Sequence, residues 1–347
     1  MKRIASSLLA ATALSFAAFA PASAETLSVV GSWSNLPLHQ KFEAPFWTET
    51  LPAASNGGIE VQMTTHNQMG IQGGDVFRML GDGVFDVGMT VADYAVGDAP
   101  ELEGLDVPLI ATTADEARAM VAAARPMVED IYQQRFNAKV LAIAPYPPQV
   151  VFCKGDVSSL EDLKGKKIRG SGRMTTKFLE ALGAEGVNVA FSEVPGALER
   201  SVIDCAVTGS GSGYSAGWWE VTDTLMNLPL GGWDSVVTAV NLDRWNALPE
   251  ETRTLIETQI KEKFETPAWD SVAASVATDT ACLTGNGECP AGKPASMKLV
   301  EASEADVATA RKILTETVLP EWAERAGADW VKRWNDSVGQ TTGVTVK

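Results

Sequence analysis

The sequence predicts an α/β fold in two lobes. Strand-like apolar runs alternate with helix-like segments twice along the chain, and the two series are separated by Pro145-Tyr146-Pro147-Pro148. The chain is also too long for one core. Lys2 and Arg3, the apolar run Ile4 to Ala20 and Ala22-Ser23-Ala24 have the form of a secretory leader, cut near Ala24/Glu25, so residues 1–24 stand apart as a signal peptide. The remaining 347 − 24 = 323 residues exceed the ~250–300 at which a single core usually splits.

In the first series, Thr26 to Val30 reads as a strand, Ser32 to Asn35 as a turn and Gln40 to Leu51 as a helix. A strand at Val61 to Thr65 follows, then a helix over Gly74 to Gly81 with Val76, Met79 and Leu80 at helical spacing, and a strand over Phe85 to Thr90. Ala114 to Phe136 reads as a helix interrupted near Pro126, and Lys139 to Ala144 as a strand that runs into the proline cluster. That cluster marks a rigid crossover. Beyond it come strands near Val150 to Cys153 and Lys166 to Arg169, a helix Thr175 to Leu182, a strand Val187 to Ala190, a helix from Glu193, and a strand Val202 to Val207. Two late helices are expected at Glu250 to Lys263 and Glu304 to Thr317. Alternation of this kind gives mainly parallel sheets, whose ligands collect at the carboxyl ends of strands.

Charge and cysteine content narrow the function classes. Without Lys2 and Arg3 the formal charge falls from −16 to −18, which argues against nucleic acid and anionic membrane surfaces as partners. No later segment approaches the ~20 apolar residues of a spanning helix, so a membrane-embedded chain is not expected. Four cysteines in a compartment that permits disulfides allow three pairings. Cys282 and Cys289 enclose the polar loop LTGNGE and form the simplest local staple, which leaves Cys153 for Cys205. A zinc site is disfavoured, because the spacing is wrong and the two histidines, His39 and His66, lie far away in sequence.

Two motifs compete for function. Gly213-Tyr214-Ser215-Ala216-Gly217 fits G-x-S-x-G, the pattern of a serine nucleophile, and supports the rival expectation of a secreted serine hydrolase using Ser215. That fold needs its histidine after the serine, whereas both histidines precede Ser215. Gly209 to Gly213, GSGSG, lacks the Lys-Ser/Thr of a P-loop and reads as a loop where a ligand approaches backbone. Arg169 has the better claim: it ends a strand and precedes Gly170-Ser171-Gly172, small residues that open space and supply amide donors. A guanidinium matches a carboxylate with two charge-assisted hydrogen bonds.

Here the chain resembles a known family, the extracytoplasmic solute-binding proteins of tripartite ATP-independent periplasmic (TRAP) transporters, DctP type. The likeness rests on Leu163-Lys164-Gly165-Lys166-Lys167-Ile168-Arg169, like L-K-G-x-K-[IL]-R, followed by Leu182-Gly183-Ala184, Phe191-Ser192-Glu193-Val194, Ala197-Leu198 and Val202-Ile203-Asp204. Weaker matches are Asn67 to Gly70, Gly83 to Asp86 and Leu248 to Glu251. The resemblance implies a two-lobed periplasmic-binding-protein fold with crossing hinge strands and C-terminal helices. One domain would be 25–146 with about 235–280, the other 147–234 with about 281–347. It further implies a periplasmic protein without catalytic activity, which closes on a small organic acid, pairs its carboxylate with Arg169 and delivers it to small and large permease subunits; no cofactor is expected and no residue is assigned as a metal ligand.

Departures from the family pattern bear on ligand choice. Ile203 to Gly209 reads I-D-C-A-V-T-G where many members have V-D-G-Q-E-N-P, so Thr208 replaces an asparagine that commonly assists binding. The second arginine of some sialic-acid-type members falls on Gln149. With one cation, a single carboxylate with a polar or aromatic remainder is expected. Strand-end positions together with the resemblance add Trp33, Thr90, Tyr146, Ser171, Ser210, Trp233 and Asp234 as candidate ligand contacts. Asp234 would favour a ligand hydroxyl or amine. Trp218 and Trp219, adjacent in sequence, point different ways, so at most one faces the cleft.

Overall fold

A computed structural model describes residues 24–346. The expected signal peptide therefore lies outside the described residues. Eleven strands form two sheets: β1 Glu25–Gly31, β2 Ile59–Thr65, β3 Val87–Val91, β4 Ala138–Ala144, β5 Gln149–Cys153, β6 Lys167–Arg169, β7 Glu185–Val187, β8 Cys205–Gly209, β9 Thr224–Asn227, β10 Val236–Asn241 and β11 Lys298–Glu301. The first sheet has the order β2-β1-β3-β10-β4 and the second β11-β9-β5-β8-β6-β7. In the first, β1 runs parallel to β2 and β3, while β10 runs antiparallel between β3 and β4. In the second, β8, β6 and β7 are parallel, and β5 opposes both β8 and β9.

Each sheet is the centre of one α/β lobe, and their central strands are buried on both faces, as in sheets covered by helices. Two short segments cross between the lobes, from β4 to β5 and from β9 to β10. They are tied together where the Tyr146 amide donates to the Trp233 carbonyl at 3.0 Å and the Gln149 amide to the Gly232 carbonyl at 3.3 Å. Gly232 is needed there for space, since a Cβ would fall 2.2 Å from Asp106 Oδ1. Further connections span the lobes. The helix Thr266–Thr284 packs against the helix Ala114–Phe136 of the first lobe and the short helix Ser210–Ser215 of the second.

Several elements differ from the sequence expectation, for identifiable reasons. The helix Ala114–Phe136 runs unbroken through Pro126. A Thr113/Glu116 capping box fixes its start, Asn137 in a left-handed conformation ends it, and a buried face from Ala117 to Phe136 offsets the lost backbone bond. The strand expected at Val187 to Ala190 is instead the three-residue edge strand β7, because the Val189 carbonyl turns away from the ladder to accept from Arg169 Nε. The strand expected at Val202 to Val207 begins only at Cys205, after a turn with Ser201 at φ 55°. The glycine-rich stretch expected as a loop ends β8 and starts the helix Ser210–Ser215.

The C-terminal segment also divides between lobes. Helix Glu304–Ile313 and the turn Leu314–Val318 pack on helix Arg173–Leu182 of the second lobe, but helix Leu319–Ala326 packs on the turn Pro100–Leu105 of the first. The resemblance implies about 281–347 in the second lobe. Trp322 and Trp334 explain the return, since both are buried against Gly104 and donate to the carbonyls of Pro100 and Gly104.

Both disulfides join the expected partners. Cys153 and Cys205 face one another on β5 and β8, and Cys282–Cys289 closes the end of helix Thr266–Thr284. No helix among the described residues is long and apolar enough to cross a membrane.

Candidate functional site

The carboxyl end of β6 places Arg169 between the lobes at 2% exposure. Its Nε donates to Val189 O at 3.1 Å, one Nη to Val207 O at 2.7 Å and the other to the Tyr94 hydroxyl at 3.3 Å. The first two acceptors are main-chain atoms of the second lobe and fix the guanidinium in place. Tyr94 comes from the first lobe, in the turn Ala92–Ala95 directly after β3. Burial pushes the Tyr94 hydroxyl up to about 12, with the Arg169 charge pulling the other way, so it stays a neutral phenol beside the cation.

Around this pair Trp33, Leu36, Val91, Tyr146, Phe191, Thr208, Ser212 and Asp234 enclose a chamber of about 10 Å³, room for about one water molecule. Trp33 stands edge-on to Tyr94, Tyr146 and Phe191, with ring centroids 5.7, 6.2 and 5.9 Å away. These rings form an apolar wall facing the cation. The Tyr146 hydroxyl lies 3.3 Å from Ser32 Oγ. Outward, past Trp33, Tyr94 and Arg169, the chamber joins a groove of about 810 Å³ lined also by His66, Asp93, Ser171 and Asn188. Burial lowers the His66 pKa, so that ring is neutral at physiological pH.

Asp234 is the chamber's one carboxyl group. Its backbone is left-handed at φ 40°, held by its own amide donating to Asp106 Oδ1 at 2.7 Å. Its Oδ1 is buried without a hydrogen-bond partner. Burial, then the neighbouring Asp106 charge, raises its carboxyl well above the usual range, and Arg169 partly offsets this. Burial likewise pushes Asp106 to about 6, against the amides of Asp234, Trp233 and Gly232. Asp106 thus ties the crossing segment down and sets the angle of Asp234.

A family model described as bacterial extracellular solute-binding protein, family 7 (DctP) matches residues 33–313. The chain belongs to that family.

Solved structures of similar fold include DctP7 of Bordetella pertussis, an extracytoplasmic solute receptor binding pyroglutamic acid, at 23% identity and TM-score 0.80 over 91% of this chain and 99% of that one. A TRAP solute-binding protein from Desulfovibrio salexigens with bound orotic acid gives 16% and 0.80, again over 91% and 99%. A marine-metagenome TRAP protein specific for aromatic acids, crystallised with 3-hydroxybenzoate, gives 24% and 0.77 over 92% and 99%. The two-lobed fold of this solute-binding protein is the one those receptors share.

Within this solute-binding protein, the structure brings Arg169, Trp33, Tyr146, Thr208 and Asp234 into one chamber, with Ser171 on the groove outside it. The other candidates lie behind. Thr90 is fully buried, and its hydroxyl faces Gly73. Gln149 is buried beneath the crossing segment, where its Nε2 donates to Asp106 at 3.4 Å. Trp233 is a core residue whose indole donates to Ala111 O at 2.9 Å. Ser210 starts its helix two residues before Ser212, which lines the chamber instead. Trp218 is buried against Phe152 and Phe191, while Trp219 stacks on Tyr214, and neither lines the chamber.

Sequence reasoning missed Tyr94, Phe191 and Ser212. Tyr94 lies a few residues past the strand end at which Thr90 was placed, and Ser212 was concealed by reading GSGSG as loop. Ser215 is exposed on a neighbouring cavity that shares Tyr146 and Ser212 with the chamber and is lined also by Tyr214, Ser271, Ser275 and Asp279, with no histidine among its described residues. Nothing there supports the hydrolase reading.

Proposed function

We propose that this protein captures a small organic acid with one carboxylate and at least one hydrogen-bond donor, closes its lobes over it, and hands it to the small and large permease subunits of a TRAP transporter. Arg169 carries the reading: a buried guanidinium whose three hydrogen bonds all end on neutral oxygens. Its charge awaits an anion, and a carboxylate fits its planar fork. Beside it, the unpartnered Asp234 oxygen asks for a ligand N–H or O–H, because a buried acceptor without a donor is costly.

The ligands of three related receptors suit this pairing, while two other receptors of this fold hold malonate and sn-glycerol-3-phosphate. Pyroglutamate and orotate carry ring N–H groups beside a carboxylate, and 3-hydroxybenzoate carries a phenolic O–H. A plain dicarboxylate would set a second anion against Asp234. With the chamber at about 10 Å³, a ligand enters only when the lobes part, and the crossing segments are the natural hinges.

A thermal-shift screen tests this. A monocarboxylate bearing an N–H or O–H donor should raise the melting temperature by roughly 5 °C or more at saturating concentration. A shift produced only by sugars, amines or other uncharged solutes would sink the reading.

A further inference from the structure

Asp93 has no part in the ligand chamber, yet it is one of the most constrained side chains in the protein. It follows β3 in the first lobe and is 3% exposed. Both of its carboxyl oxygens are buried without a hydrogen-bond partner. Across the lobe interface it meets Gly172, the residue before helix Arg173–Leu182 of the second lobe: a Cβ at Gly172 would lie 1.3 Å from Asp93 Oδ2. The Gly172 backbone is extended, at φ −139° and ψ −173°, a conformation open to any residue. The glycine is therefore required for space and not for its dihedral freedom. The ten-residue helix beyond it directs its free amides and positive dipole end at the carboxyl. The Arg173 amide faces Asp93 but falls short of a well-formed hydrogen bond.

We propose that Asp93 is the closure latch of this protein, docking across the cleft into the space left by Gly172 and onto the start of helix Arg173–Leu182. The latch rests on lobe closure, whichever ligand is bound. The groups facing it are Asp106, Glu103 and Asp234, which repel a carboxylate, the neutral Tyr94 phenol, and the Arg173 amide and Arg325 guanidinium, which attract one. Arg173 itself reaches over the interface to Glu321 at 3.2 Å and Glu103 at 3.8 Å. Burial first, then the three acids, raises the docked carboxyl well above its ordinary value. Opening removes the second lobe's share of that burial, so the carboxyl titrates lower than when docked. Closing then takes up a proton, so closure is favoured at low pH and lost as pH rises through the docked value.

The experiment measures the distance between lobes without any ligand, so a wrong ligand assignment leaves it standing. Spin labels on Met69→Cys and Ser192→Cys report the closed and open populations by pulsed electron resonance, and all the native cysteines are already paired. The closed-to-open ratio should fall roughly tenfold between about pH 5 and pH 8. Asp93→Asn should stay closed and lose that dependence. Gly172→Ala should hold the lobes apart at every pH, and the double variant Asp93→Ala/Gly172→Ala should close again. Closure of Gly172→Ala like the wild type would overturn the latch. So would Asp93→Asn keeping the wild-type pH slope, since the proton would then belong to Asp106 or Asp234.

Discussion

The two lobes meet the ligand chamber with opposite equipment. The second supplies a cation pinned by two of its own carbonyls, and both disulfides lie in its framework, one between β5 and β8 and one behind the helix end at Cys282. The first lobe and the crossing segments supply three of the rings and the one acid, Trp33, Tyr94, Tyr146 and Asp234, with Phe191 the only ring from the second lobe among the described lining residues. Fixing an anion needs one charge in one place, and covalent staples beneath it keep the guanidinium from relaxing. Sorting one acid from another needs a surface that reads the rest of the molecule. On the proposed function, the stapled half captures the acid and the unstapled half discriminates.

The comparison breaks first at the staple. Replacing Cys153 and Cys205 together by serine opens a link across 52 residues of chain and should lower stability by about 3–4 kcal/mol. Chemical denaturation would show this as a lower midpoint, with the loss confined to the second lobe in hydrogen exchange. Next, Arg169→Ala should weaken binding of every carboxylate ligand by at least about 2 kcal/mol, because a buried anion then lacks its partner. Calorimetry giving unchanged affinity would move capture elsewhere.

A smaller effect sharpens the other side. Asp234→Asn should cost about 1 kcal/mol, read by calorimetry, for acids that offer an N–H or O–H, and leave or improve binding of acids that do not. An equal loss for both kinds would make Asp234 a structural residue only. The smallest expectation is for Ser215→Ala. This exposed side chain outside the chamber should change affinity and stability by under about 0.5 kcal/mol, and the protein should not react with a fluorophosphonate probe.

What was legible in the sequence follows the same division. Arg169 showed as a strand end followed by small residues and came to the fore through the L-K-G-x-K-[IL]-R likeness, Cys282–Cys289 showed through loop composition, and Cys153–Cys205 followed by elimination. The residues that discriminate are set by contacts distant in sequence. Trp233 and Gln149 occupy suitable strand ends, but Ala111 and Asp106 claim them for the interior. Tyr94 and Asp93 matter only because the second lobe comes down on them, through Arg169 and Gly172. Pro126 was misread since its effect on the helix depends on how much apolar face the rest of that helix buries. Single-residue breaker signals carry no information on that.

The position of β10 has a consequence for how the molecule is made. It lies between β3 and β4, yet it is encoded after β5 to β9. Until Val236–Asn241 leaves the ribosome, β3 and β4 lack the partner that joins them, and two strand edges stand open to pairing with other chains. The pairings among β5, β6, β7, β8 and β9, by contrast, are all available once residue 227 is out. Five of the second sheet's six strands can pair before the gap in the first sheet is filled, and chains that end before 236 are the ones exposed to aggregation.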